Sequence, residues 1–149
     1  MRFHSAINGV VAAALASVVA AACSSDGGSS EPTCLATAAT TNCAPLYQPT
    51  FDNVWKYTLS VTCAAVDCHS GSQPTGNMAL DQEDQAYANL LSKSANGEPR
   101  VNPRDVQCGK VIVRLHTPNE PYSMPPPPTS LDPGALCAIT QWIANGAMR

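Results

Sequence analysis

Only 5% of the 149 residues are aromatic, and eight lysines and arginines stand against eleven acidic residues. So few large apolar side chains leave a chain of this size with a small core, one that gains from cross-links or from a flat apolar ligand. There is no basic run, so nothing favours nucleic acid as a partner. No internal repeat is present. The one apolar run, Val10 to Ala22, is too short for a comfortable membrane span and has the length of a signal-peptide core. No GxSxG elbow accompanies Ser60, Thr62 or Ser70, which sets a hydrolase reading aside.

What is present begins with the leader. Met1-Arg2 opens a short positive region, and the apolar run ends in Ala20-Ala21-Ala22-Cys23 before SSDGGSSEP. Small residues ahead of a cysteine and a Ser/Gly linker behind it resemble a bacterial lipoprotein signal. The resemblance implies cleavage before Cys23, lipid on its sulfur and attachment to the membrane through that lipid. Ser24, with no Asp beside the cysteine, resembles signals that send lipoproteins to the outer membrane. Ordinary secretion with cleavage after an alanine is the alternative. Removing residues 1–22 leaves 127 residues, with seven basic and eleven acidic side chains and a balance of about −4. The chain then divides into the signal (1–22), a lipidated cysteine with a flexible tether (23–33), a cysteine-bounded extension (34–49) and one domain of about a hundred residues (50–149).

Cysteines outside the cytoplasm rarely stay free. With Cys23 given to lipid, Cys34, Cys43, Cys63, Cys68, Cys108 and Cys137 remain, an even number. Four segments of the domain read as helices. FDNVWKYTLSVTC, capped by Thr50, puts Phe51, Val54, Trp55, Leu59 and Thr62 on one face. DQEDQAYANLLSK, capped by Asp81 with acids in its first turn, aligns Tyr87, Leu90 and Leu91. The third runs from Asn102-Pro103 through Cys108, Val111, Ile112 and Leu115, although its VIVRL centre would also suit a strand. DPGALCAITQWIANGA has Asp132 as cap, Pro133 at the first position, Leu136, Ile139 and Ile143 inward, and Gly146 as stop. TPNEPYSMPPPPTSLDP, between the last two, is too rich in proline to be helical and reads as a stiff, extended loop.

Chemistry concentrates in TCAAVDCHSG. Covalent haem attachment needs two thiols within reach of one porphyrin's vinyl groups and an imidazole directly after the second. Cys68-His69 meets the latter need. Four residues separate Cys63 from Cys68 where two are usual, so they must bulge outward. A structural disulfide across this small loop, with His69 an ordinary surface residue, is the competing reading, and a Cys/Cys/His zinc half-site is a third. A second axial ligand is offered by Met124, a thioether among prolines 55 residues beyond His69. His116 is its rival and would give a bis-histidine iron. Met78 lies too near the motif to reach the far face, and His4 departs with the signal.

A helix leading into a cysteine-rich CH motif, then HSG, a later Met124-Pro125-Pro126 and a final WI-x-x-GA helix (Trp142 to Ala147) resemble a class I c-type cytochrome. More narrowly they resemble the planctomycete-type cytochrome c domains of exported bacterial lipoproteins. The resemblance spans roughly residues 50–149. It implies an all-α domain of about four helices with a long proline-rich loop, first and last helices crossing with Trp55 and Trp142 near the core, and one covalent haem c. It assigns Cys63 and Cys68 to the haem vinyls and His69 and Met124 to the iron. Cys108 with Cys137, expected on helices three and four, would close about 30 residues, contribute roughly 3 kcal/mol and clamp the Met124 loop. Cys34 with Cys43 is then the remaining pair. The expected function is single-electron transfer in the cell envelope between redox partner proteins, from a lipid anchor at the outer membrane. The chain is not expected to be an enzyme, though it could be the electron-accepting subunit of an envelope dehydrogenase. A haem-free, disulfide-braced surface lipoprotein serving as an interaction or scaffold module is the reading from another class.

Overall fold

A computed structural model describes residues 30–149. The signal, Cys23 and most of the tether lie outside the described residues, as does His4. Among the described residues there is no strand beyond isolated bridges, and no helix is long and apolar enough to cross a membrane.

Helix α1 (Phe51–Val54) starts where Thr50 turns from extended backbone and accepts the Asn53 amide on its hydroxyl. It runs without a break into a π-helical stretch, Trp55–Cys63, whose wider turn shows in the bond from the Ala64 amide to the Leu59 carbonyl at 2.8 Å. Wider turns rotate the buried face. Thr58 and Leu59 are buried, whereas Thr62, expected inward on a 3.6-residue period, is exposed.

Helix α2 (Glu83–Leu91) begins one residue later than Asp81 would cap it, with Gln82 at the N-cap position, and buries Ala86 and Leu90 while Leu91 stays 41% exposed. Helix α3 (Lys110–His116) is much shorter than the reading from Asn102. Gly109, at φ +113°, breaks the backbone just ahead of it, and a Cβ there would meet the Arg100 carbonyl at 3.0 Å. Residues 102–109 therefore form turns, and Cys108 is not helical.

Helix α4 (Pro133–Ala144) follows its sequence signals closely. The Asp132 carboxylate accepts the Gly134 and Ala135 amides at 2.8 and 3.1 Å, and Gly146 at φ +95° ends the helix. It is the centre of the core: Ala138, Ile139, Trp142 and Ile143 are all buried. Phe51 packs on Trp142 with ring centroids 5.6 Å apart, which sets α1 against α4, and on Tyr87 of α2 at 4.8 Å. Trp55 is half-buried at the edge of this core. The residues between α3 and α4 pass through turns that include cis peptides before Pro125 and Pro128.

The disulfides correct the expected pairing. Cys34 bonds to Cys108 and Cys43 to Cys137, not Cys34 to Cys43 or Cys108 to Cys137. The cause is the path of residues 31–49, which drape over the domain instead of curling into a local loop. The Leu35 amide bonds to the Gln107 carbonyl, aligning Cys34 with Cys108. Gln141, one turn beyond Cys137 on α4, donates to the Thr41 and Cys43 carbonyls and seats Cys43 over its partner. The tether also gives way to packed structure earlier than residue 34. Glu31 is salt-bridged to α3, and the Thr33 carbonyl accepts the Gly109 amide at 3.0 Å.

Candidate functional site

Residues 63–69 close on themselves. The His69 amide reaches the Cys63 carbonyl at 3.3 Å and the Cys68 amide reaches Ala65 at 3.1 Å. The residues between bulge outward: Val66 is 82% exposed and Asp67 takes a left-handed backbone at φ +69°. The extra length between the cysteines is thus absorbed outside, while both cysteines line the same interior cavity.

His69 is buried, and its position is set from two sides. Its carbonyl accepts the Leu80 amide at 2.7 Å, and Leu80 is held in turn by the indole N–H of Trp55 at 3.0 Å. Its Nδ1 lies 3.1 Å from the Met78 carbonyl. A carbonyl only accepts, so the ring proton sits on Nδ1 and Nε2 keeps its lone pair. Burial holds the imidazole below its ordinary pKa, against the Met78 hydrogen bond, and the positive charges of Arg114 and Arg100 add to the depression. A neutral imidazole with one nitrogen pinned to a carbonyl and the other basic is the form in which histidine ligates metals. Cys63 is half-buried, and its thiol is pushed up to about 11 by burial and by the neighbouring Cys68.

The cavity measures about 690 Å³, within the usual range of small-molecule and cofactor sites. Cys63, Cys68 and His69 line it from one segment and Tyr122, Met124 and Pro125 from another. Leu59, Leu80, Leu90, Val111 and Ile139 supply apolar wall. The Met124 amide donates to the Arg114 carbonyl at 2.9 Å, so α3 fixes the backbone that presents the thioether. The donor set suits an iron porphyrin: two thiols, an imidazole with an available lone pair, a thioether and apolar walls. Among the described residues no group of three or more His, Cys, Asp or Glu side chains is gathered closely enough to hold a metal ion.

His116 stands elsewhere. The Thr140 hydroxyl donates to the Leu136 carbonyl at 2.8 Å and therefore accepts from His116 Nε2 at 3.0 Å. His116 does not line the cavity, and burial between α3 and α4 depresses its pKa.

Three features escaped the sequence reading. Arg100 is buried and bonds carbonyls from two segments; no periodicity marks it in GEPRV. Met78, set aside as an axial ligand, matters through its main-chain oxygen. Lys110 and Arg114 meet Glu31 about eighty residues away, a pairing no local pattern reveals.

Disulfide-braced helices surround a cavity lined by a Cys–Cys–His segment and a methionine loop. Residues 66–128 match the family model described as Planctomycete cytochrome C, and that match supports a planctomycete-type cytochrome c domain in this part of the chain. No curated protein and no solved structure matches the chain.

Proposed function

We propose that this chain is a monohaem c-type cytochrome that carries single electrons in the cell envelope. The observation that carries the reading is that Cys63, Cys68 and His69 line one cavity together with Met124, which lies in a distant segment of the sequence. In it Cys63 and Cys68 would hold the porphyrin through thioethers, His69 and Met124 would bind the iron from the chain's two segments, and the apolar walls would exclude water. An iron so bound supplies a one-electron couple whose potential follows its axial ligands and the polarity around it. The hydrogen bond from His69 Nδ1 to Met78 keeps the imidazole oriented and basic at Nε2. The leader reading adds lipid on Cys23 and an outer-membrane anchor, with envelope redox proteins, an electron-delivering dehydrogenase subunit among them, as partners.

A pyridine haemochrome spectrum tests the proposal on protein expressed with the cytochrome maturation machinery. Haem that stays with the chain through acid–acetone extraction is the expected result. A colourless product in which Cys63 and Cys68 are joined to each other would leave a haem-free scaffold module instead.

A further inference from the structure

One end of the cavity is ionic. Glu31, Lys110 and Arg114 all line it, with their side chains only 13%, 17% and 28% exposed. Arg114 grips Glu31 with two parallel bonds, Nε to Oε1 at 2.7 Å and Nη2 to Oε2 at 2.8 Å, and Lys110 adds a third at 2.9 Å. This forked geometry is the one guanidinium uses for any carboxylate. Lys110 also pairs with Glu98 at 2.6 Å, so two cations face two anions. Burial raises the Glu31 carboxyl, but the bonds from Arg114 and Lys110 outweigh it and hold the group below its ordinary pKa.

A porphyrin of the protohaem type brings two carboxylates of its own. Within this cluster the charges already balance, while Arg100, which also lines the cavity, is engaged by neutral oxygens; a third anion beside Arg114 and Lys110 therefore meets repulsion from Glu31. Glu31 is also the member of the cluster most easily moved. It precedes Thr33 and the Cys34–Cys108 disulfide, which fix the chain behind it, so only the residues ahead of Thr33 need to swing out. The same disulfide keeps a displaced Glu31 close by, at high effective concentration.

We propose that Glu31 is a carboxylate supplied by the chain itself to a carboxylate-binding end of the cavity, and that it competes there with the carboxylates of the porphyrin. The inference rests on the haem reading and deepens it. Filling the cavity releases the Glu31 contacts of the N-terminal segment, so cofactor loading and the docking of that segment are coupled with opposite sign. Arg114 and Lys110 are the receptor for either carboxylate.

The test titrates iron protoporphyrin IX and its dimethyl ester into the full chain purified without haem, reading quenching of Trp55 and Trp142 fluorescence. In Glu31→Gln the diacid should bind at least about fivefold more tightly than in the unchanged chain, with the ester unaffected. Arg114→Gln should weaken the diacid and spare the ester; Lys110→Gln gives the same comparison if circular dichroism shows that the arginine variant has not folded. If both porphyrins bind and Glu31→Gln leaves the diacid-to-ester ratio unchanged, the competition is refuted and the haem reading stands. If neither porphyrin binds any of the chains, the haem reading falls and takes this inference with it.

Discussion

Replacing Arg100 by methionine tests whether the orientation of His69 depends on a residue that never touches it. The guanidinium is buried, and its partners are neutral oxygens. Nη1 donates to Asn89 O at 3.3 Å, Lys93 O at 2.9 Å and the Ser92 hydroxyl; Nη2 donates to Gly76 O at 2.9 Å and Asn77 O at 3.4 Å. One set closes the C-terminal end of α2. The other holds the tight turn Thr75–Asn77, directly ahead of Met78, whose carbonyl fixes the His69 ring. A hydrogen bond from a charged donor contributes about 1.5–3 kcal/mol, and unmatched buried carbonyls cost about 1–3 kcal/mol each. The bonds share one side chain and several carbonyls can rehydrate, so their sum overstates the loss; about 3 kcal/mol is the expected destabilisation.

Urea unfolding followed by far-UV circular dichroism measures this total, and in a domain of this size Tm should fall by about 10 °C. Amide hydrogen exchange supplies the local readout. The Thr75 amide, bonded to Cys68 O at 2.7 Å, and the Leu80 amide, bonded to His69 O at 2.7 Å, should lose protection before the interior amides of α4 do. Arg100→Lys should recover only part of the stability, because one ammonium cannot span both segments. A loss under about 1 kcal/mol, or protection that falls equally in α4, would refute the idea that Arg100 braces the histidine segment.

Non-reducing peptide mapping should find Cys34 with Cys108 and Cys43 with Cys137. Serine replacement of either pair, which opens a loop of 74 or 94 residues in sequence separation, should cost about 4–5 kcal/mol. His69 and His116 both titrate below the unfolded value of 6.5, so the unfolded chain binds protons first; stability should be full above that pH and decline as pH falls through it. Glu31, held below 4.5, adds stability that is present above that pH and lost in more acid solution; a urea-midpoint series from pH 8 to 3 that stayed flat would contradict both signs. In haem-loaded protein Met124→Ala should abolish the weak red-region band of thioether ligation and His116→Gln should leave it; a spectrum unchanged in Met124→Ala would point to His116 as the ligand instead.

Features decided within a few residues were legible in the sequence. Asp132, Pro133 and Gly146 bracket α4 because a cap, a fixed φ and a left-handed stop act locally. Cys68-His69 and Met124 stood out because their chemistry demands particular residue types. The helix ahead of the motif was found but not its winding: a 3.6-residue period reads Thr62 as inward, and the wider π turns leave it exposed. Residues 102–109 misled because Asn102-Pro103 is a sound start signal overridden by Gly109 and by the pairing of Cys34 with Cys108. The disulfides failed for a related reason. Cys34 and Cys43 are near in sequence, but loop-closure entropy penalises a distant pairing only slowly with length, and bonds from Leu35 and Gln141 to the distant segments outweigh it.

The two disulfides interleave, since Cys43 lies between Cys34 and Cys108 and bonds beyond them to Cys137. Interleaving ties residues 31–49 at one end to the turns before α3 and at the other to α4, so the segment straps the domain across both walls that carry cavity residues. Gly134 shows how closely the strap lies: Leu46 N donates to its carbonyl at 3.0 Å, and a Cβ there would approach Leu46 to 3.1 Å. The strap begins at Glu31, inside the cavity lining. A domain with so few aromatic residues cannot hold a cavity of 690 Å³ open by core packing alone, because collapse would bury the exposed apolar wall. The disulfides, which tie the strap to the turn before α3 and to α4, oppose that collapse. On this argument the cysteines outside the CH motif serve the cavity's shape, and reducing them should shrink porphyrin affinity even where helical content survives.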